Sequence, residues 1–163
     1  MEGKKVSESA IVMAQLMGPT DLNVAGNVHG GTIMKLVDTA AGAVAVKHAR
    51  ANAVTASIDR IDFHHPVYSG DIITCKASLN LIGKTSMEIG VRVEAEDLLT
   101  GNVRHTASAY LTYVALDRAG KPIPVPPLIL ETEVDERRNQ DAQIRREARL
   151  REKQARKENT QGK

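Results

Sequence analysis

The sequence predicts an α+β domain, a mostly antiparallel sheet of about five strands wrapped around one long central helix. Three observations predict it. Across residues 22–48 a glycine-punctuated polar segment gives way to small and aliphatic residues spaced by three and four. Across residues 54–116, apolar and polar residues instead alternate one by one. Short turn signals interrupt that alternation, and such turns join antiparallel strands that bury one face and expose the other.

In chain order, residues 6–17 mix polar and apolar side chains and are expected as a first strand, closed by the turn signal Gly18-Pro19-Thr20-Asp21. In the helix that follows, Ile33, Val37, Ala40, Ala41, Val44 and His48 share one face. Thr32 or Asn27 is the expected cap, and Gly30 and Gly31 are expected to let the backbone turn tightly and approach a neighbour. Arg50-Ala51-Asn52 ends the helix. In the strand-like run at residues 54–63, Val54, Ala56 and Ile58 alternate with Thr55, Ser57 and Asp59, until His64-His65-Pro66 stops it. After the turn Tyr68-Ser69-Gly70-Asp71, Ile73, Cys75, Ala77, Leu79 and Leu81 oppose Thr74, Lys76, Ser78 and Asn80. Beyond Gly83-Lys84, Met87, Ile89, Val91, Val93 and Ala95 oppose Glu88, Arg92, Glu94 and Glu96. The last strand carries Ala107, Ala109, Leu111 and Tyr113 on one face. The proline-rich residues 120–127 form an extended exit that is neither helix nor central strand.

A chain of 163 residues with 42% hydrophobic and 26% charged content fits one globular domain. Aromatic residues make up only 2% and Trp is absent, so the core has to come from Val, Ile, Leu, Ala and Met. No apolar segment has membrane-spanning length and the first residues lack a signal-peptide apolar stretch, so the expected location is cytoplasmic. A single cysteine, Cys75, excludes an internal disulfide and sits on the apolar face of a strand as an inert thiol. The histidines form no metal-ligand pattern. A net charge of +2 is too small to argue for nucleic acid, and it is unevenly spread. Basic and acidic residues number 12 and 12 in residues 1–130, but 10 and 8 in residues 131–163. The latter segment is expected to be a charged, helical or partly disordered tail on a globular domain of residues 1–130, since its apolar positions are few, with Val134, Ile144 and Leu150 forming no continuous stripe.

The misfit in the helix is Asp38, mid-helix among Ala, Val and Met. It is either a solvent-facing carboxylate beside Lys35 or a partly desolvated base held near a helix N-terminus, where backbone N–H groups polarise a carbonyl. Asn27 is either a turn former or a group that positions water and donates to oxygen. The arrangement Asn27-x-His29-Gly30-Gly31-x-x-Met34-x-x-x-Asp38 resembles the acyl-CoA thioesterase family of the hotdog fold, in particular cytosolic acyl-CoA hydrolases and their single-domain bacterial relatives, over residues 11–130.

The resemblance implies an acyl-CoA thioester hydrolase that releases a free carboxylic acid and coenzyme A. Asp38 would activate water or act as nucleophile, with Asn27 opposite it across a dimer and facing it together with the Gly30-Gly31 backbone. His29 would support the site as a neutral donor or acceptor. Ala56, Ser57 and Ile58 match a strand edge for the pantetheine arm, and Lys84, Thr85, Ser86 and Met87 match the turn and strand that hold the nucleotide end. The resemblance implies no metal and no separate cofactor, because coenzyme A is part of substrate and product. It also implies a homo-oligomer, a dimer and then a hexameric trimer of dimers, with no nucleic-acid or membrane partner. The alternatives are a dehydratase of 3-hydroxyacyl thioesters, disfavoured because the helix offers Asp38 without an inward His, and a non-catalytic acyl-CoA-binding regulator. The tail is expected as a solvated helix touching nothing; alternatively, its cations reach the coenzyme's phosphates.

Overall fold

The computed structural model describes residues 1–161, with side chains through Glu158. In chain order the elements are β1 (Lys4–Lys5), α1 (Val6–Ser9), β2 (Ile11–Leu16), α2 (Gly30–Ala49), β3 (Asn52–Phe63), β4 (Asp71–Ile82), β5 (Ser86–Asp97), β6 (Val103–Leu116), β7 (Leu128–Ile129) and α3 (Glu133–Gln161). A five-stranded antiparallel sheet runs β2-β4-β5-β6-β3. The tight turns after β4 and β5 make those neighbours hairpins, whereas β3 crosses to the far edge to pair with β6.

The sheet curls around α2 because one apolar stripe faces one apolar face. Ile33, Val37, Ala40, Ala41, Val44 and His48 are all buried, as the helical spacing predicts. They pack on the inward positions of β4, β5 and β6, among them Ile73, Leu79, Met87, Ile89, Leu111 and Tyr113. Fully burying a side chain of Val, Leu, Ile or Met size contributes about 1.5–3 kcal/mol, so this single interface dominates the core. The result is the hotdog arrangement, with the sheet as wrapping and α2 as filling. A Cβ at Gly42 would lie 3.3 Å from the Tyr113 hydroxyl, so glycine there lets that ring lie close under the helix.

His48 closes the far end of the core. Its Nε2 stands 2.9 Å from the Pro126 carbonyl, which can only accept, so Nε2 carries the proton and buried Nδ1 is left without a partner. Burial pushes its pKa below the usual 6.5, and the ring is neutral in the fold.

Several local expectations need correction. Residues 6–17 are not one strand: α1 makes a single turn before β2 begins. The exit segment at residues 120–127 is extended and neither helix nor central strand, as expected; Pro122 bridges Leu116, and beyond the segment β7 lies parallel to β1. In β3 the strict alternation is broken by register shifts between Thr55 and Ser57 and between Ile58 and Arg60. The two extra residues, Ala56 and Asp59, bring Ile58 onto the face already shared by Thr55 and Ile61, opposite Leu111 between Tyr113 and Ala109. The tail is not a helix that touches nothing. α3 lies on the outer face of the sheet and buries Ala142 completely. There Asn139 donates to the Asn80 carbonyl at 2.7 Å, and the Arg145 guanidinium stacks over the Tyr110 ring at 3.7 Å. Arg145 and Arg149 both bind the buried Glu88 carboxylate, at 2.7 and 2.9 Å, and Arg149 also pairs with Asp59. Arg145 reaches across to Glu88 on β5 because a desolvated carboxylate gains more from a guanidinium than an exposed one does.

Candidate active site

Asp38 lies on the flank of α2 that faces β3 and β6. Its Oδ1 accepts two hydroxyl hydrogen bonds, from Thr55 Oγ1 at 2.7 Å and from Tyr113 Oη at 2.7 Å. The same Tyr113 hydroxyl also reaches the Asp38 carbonyl at 2.7 Å, tying side chain and backbone together. Among the described residues Oδ2 accepts from nothing. One oxygen held by two donors and the other open is the geometry of a positioned base. Burial, with the Asp38 charge adding to it, pushes the Tyr113 phenol well above its ordinary value of 10, so it remains a donor throughout the physiological range. Cys75, buried under the helix, has its thiol pushed up to about 11 and is no nucleophile.

A second cluster forms at the N-terminus of α2. The cap is His29, rather than Thr32 or Asn27: its Nδ1 accepts from the Gly31 N–H at 2.8 Å. That fixes Nδ1 as the unprotonated nitrogen of a capping imidazole. The same contact explains Gly31, where a Cβ would lie 2.9 Å from Nδ1. Neither Gly30 nor Gly31 has a positive φ, so neither makes the tight turn expected of it; Gly26, at φ 84°, does. Thr32 and Ile33 donate to the His29 carbonyl, and Gly31 is engaged by the imidazole. Of the first-turn amides only that of Gly30 has no acceptor among the described residues. It opens on a cleft of about 310 Å³ lined by Asn23, Asn27, Gly30, Ile33, Phe63 and Val67. The Oδ1 of Asn23 accepts from the amides of Ala25 and Asn27, which locks the loop and leaves its NH₂ as a donor.

The remaining expected residues are dispersed. Ala56, Ser57 and Ile58 are exposed on β3, the unpaired edge of the sheet. In the turn before β5, Gly83 donates to the Ser86 carbonyl at 2.8 Å, Lys84 is exposed, and Thr85 and Ser86 are half-buried. Met87 is a correction: its side chain is fully buried in the core, so only its backbone can meet a ligand. Within one chain Asp38 lies eight residues beyond Gly30, about 12 Å along the axis at about 1.5 Å per residue. The Asp38 carboxylate and the amide donors are therefore held in two separate places. Thr55 and Tyr113 were not singled out in the sequence as partners of Asp38, and Asn23 was not singled out at all. Only the unusual placement of Tyr113 on an otherwise aliphatic face hints at its role. Among the described residues no group of three or more His, Cys, Asp or Glu is placed to hold a metal ion, and no helix is long and apolar enough to cross a membrane.

Residues 25–101 match the model of the thioesterase superfamily. The chain is 41% identical over 146 residues to the cytosolic acyl coenzyme A thioester hydrolase of Rattus norvegicus, covering 88% of this chain but 38% of that relative's length. It superposes on an apo-hexameric acyl-CoA thioesterase with a TM-score of 0.90 at 37% identity, covering 93% of this chain and 97% of the other. An acyl-CoA hydrolase from Staphylococcus aureus, solved with butyryl coenzyme A and coenzyme A, superposes with a TM-score of 0.88 at 35% identity, covering 97% and 96%. Variants of that hydrolase with an aspartate, an asparagine or a threonine changed to alanine have also been solved.

Proposed function

The chain belongs to the thioesterase superfamily, and from that premise we propose that it hydrolyses acyl-CoA to a free carboxylic acid and coenzyme A, with Asp38 as the base at a site shared by two copies of the chain. The observation that carries this reading is the Asp38 carboxylate, anchored through one oxygen by Thr55 and Tyr113 and open at the other. The positions altered in the Staphylococcus aureus variants support it. Their altered asparagine, aspartate and threonine are spaced by fifteen and seventeen residues, the spacing of Asn23, Asp38 and Thr55 here. By that spacing Asn23, rather than Asn27, is the asparagine of the site.

In the reaction Oδ2 of Asp38 takes a proton from water as the water oxygen bonds to the thioester carbonyl carbon. The electron pair moves onto the carbonyl oxygen, which the Gly30 N–H and the Asn23 amide stabilise. The tetrahedral intermediate collapses with loss of the C–S bond, and the proton passes from Asp38 to the leaving thiolate.

The two halves of the machinery, about 12 Å apart in one chain, meet if β3 edges of two copies lie side by side. β3 is an edge strand exposing Val54, Ile58 and Phe63, and an unpaired apolar edge is a ready surface for a second chain. A dimer of this kind, assembled further into a hexamer, is the proposed form.

The test is thiol release from a panel of acyl-CoAs, read with a thiol-reactive dye, followed by mixing Asn23→Ala and Asp38→Asn proteins. Thiol release by the native protein and partial recovery in the mixture are expected. Absorbance of an enoyl product without thiol would mean a dehydratase, binding without turnover a regulator, and either sinks the hydrolase. Failure of the mixture to recover after verified subunit exchange refutes the shared site.

A further inference from the structure

Resting on that reading, we propose that α3 completes the binding site for the nucleotide end of the substrate, with Arg146 and Lys153 receiving phosphate groups in the cleft between α3 and the turn at residues 83–86. The cleft measures about 290 Å³, and its lining includes Gly83, Ser86, Thr112, Arg146, Arg149 and Lys153. Positions 146, 149 and 153 fall on one helix face, so three cations point at the same turn.

Their electrostatic state separates them. Arg149 is committed to Glu88 and Asp59, and Glu88, the carboxylate in the lining, is also held by Arg145. Arg146 and Lys153 have no carboxylate partner among the described residues. The cleft therefore holds two uncompensated positive charges, which is what a phosphate or diphosphate recognises. Two uncharged groups point the same way. Thr112 Oγ1 is buried in the cleft with no hydrogen-bond partner, and the Ser86 hydroxyl lies at the turn. A Cβ at Gly83 would lie 2.5 Å from Ser86 Oγ, so glycine leaves room for that hydroxyl, and an Arg146 terminal nitrogen stands 3.6 Å from the same position, in van der Waals reach of the turn. The anchor that sets α3 at this distance, the Glu88 pairing with Arg145 and Arg149, is separate from the cations left for the ligand. The chemical class is a nucleoside 3′,5′-bisphosphate, the charged portion of coenzyme A.

The test compares R146Q/K153Q with the charge-matched R137Q/R151Q, which removes two cations outside the cleft. Binding of adenosine 3′,5′-bisphosphate is measured by calorimetry at low and high salt, alongside the melting temperature. Affinity is expected to fall at least tenfold in R146Q/K153Q, to hold in the control, and to lose most of that difference at high salt. In steady-state kinetics the KM for an acyl-CoA rises with kcat unchanged, and the KM for the same acyl group on pantetheine stays put. Equal nucleotide affinity in both double variants, or none in the native protein, overturns the proposal. Absence of thiol release from every acyl-CoA, with nucleotide discrimination intact, overturns the hydrolase reading and leaves this site standing.

Discussion

Replacing Asp38 by Asn separates chemistry from architecture at the candidate base. Both side-chain hydrogen bonds to Asp38 end on Oδ1, from Thr55 and Tyr113 at 2.7 Å each. An asparagine oxygen accepts both in the same place, and its NH₂ falls where Oδ2 had no donor. Shape and anchoring survive and basicity is lost. A positioned general base is worth about 10²–10⁴-fold, so kcat should fall by about 3–5 kcal/mol of barrier. The stability effect is smaller. Two charge-assisted bonds become neutral ones at roughly 1 kcal/mol each, about 2 kcal/mol in all, which shifts the melting temperature of a chain this size by about 4–8 °C. Asp38→Ala serves as the comparison, because it leaves Thr55 without its acceptor and Tyr113 with only the backbone carbonyl. The assay is thiol release at saturating acyl-CoA, with circular-dichroism melts of the same samples. A kcat within threefold of native for Asp38→Asn, with Asp38→Ala inactive, would refute the base and reduce Asp38 to a structural acceptor.

Tyr113→Phe leaves Asp38 held by Thr55 alone, and kcat should drop about 10- to 100-fold with KM little changed, since a bond to a charged group is worth about 1.5–3 kcal/mol. An ultraviolet pH titration should also lose its most reluctant tyrosine in that variant, because it is Tyr113 whose phenol is pushed up. Gly31→Ala places a Cβ 2.9 Å from His29 Nδ1 and should cost about 1 kcal/mol of cap, read as a lower melting temperature. Glu88→Ala leaves Arg145 without its carboxylate and Arg149 with Asp59 alone, and should cost about 3–5 kcal/mol, with α3 becoming the first site of limited proteolysis. His48 is neutral in the fold because burial lowers its pKa, so the unfolded chain takes up its proton first as pH falls. The melting temperature should therefore drop below pH 6.5, and His48→Gln should flatten that slope.

Local periodicity made much of the fold legible. The helix face from Ile33 to His48 and the inward rows of β4, β5 and β6 need no long-range information, because burial of one face writes its period into the residues. Asp38 was legible as a carboxylate in an apolar context. Its partner Tyr113 was not, since the contact spans 75 positions and nothing in the spacing aligns the two. The two bulges in β3 escaped because they break the alternation used to find strands; their effect is to bring Ile58 onto the face that Thr55 and Ile61 share. The docking of α3 was hidden for a different reason. Its contact with the sheet is made mainly by arginines, whose composition reads as solvated, and the buried carboxylate that receives them lies on another strand.

Tyrosines are few here, and their placement has an optical consequence. There is no Trp, so near-ultraviolet emission comes from three Tyr residues. Tyr113 sits under α2 with its phenol on a carboxylate, Tyr110 lies beneath the Arg145 guanidinium, and Tyr68 faces Arg104 beside the turn into β4. Each ring thus reports a different part of the molecule: base, docked helix or loop. Biosynthetic fluorotyrosine would yield three fluorine resonances with no assignment mutants beyond two single Phe replacements. In one spectrum, a ligand arriving at Asp38 and one arriving beneath α3 would give separate, simultaneously readable shifts.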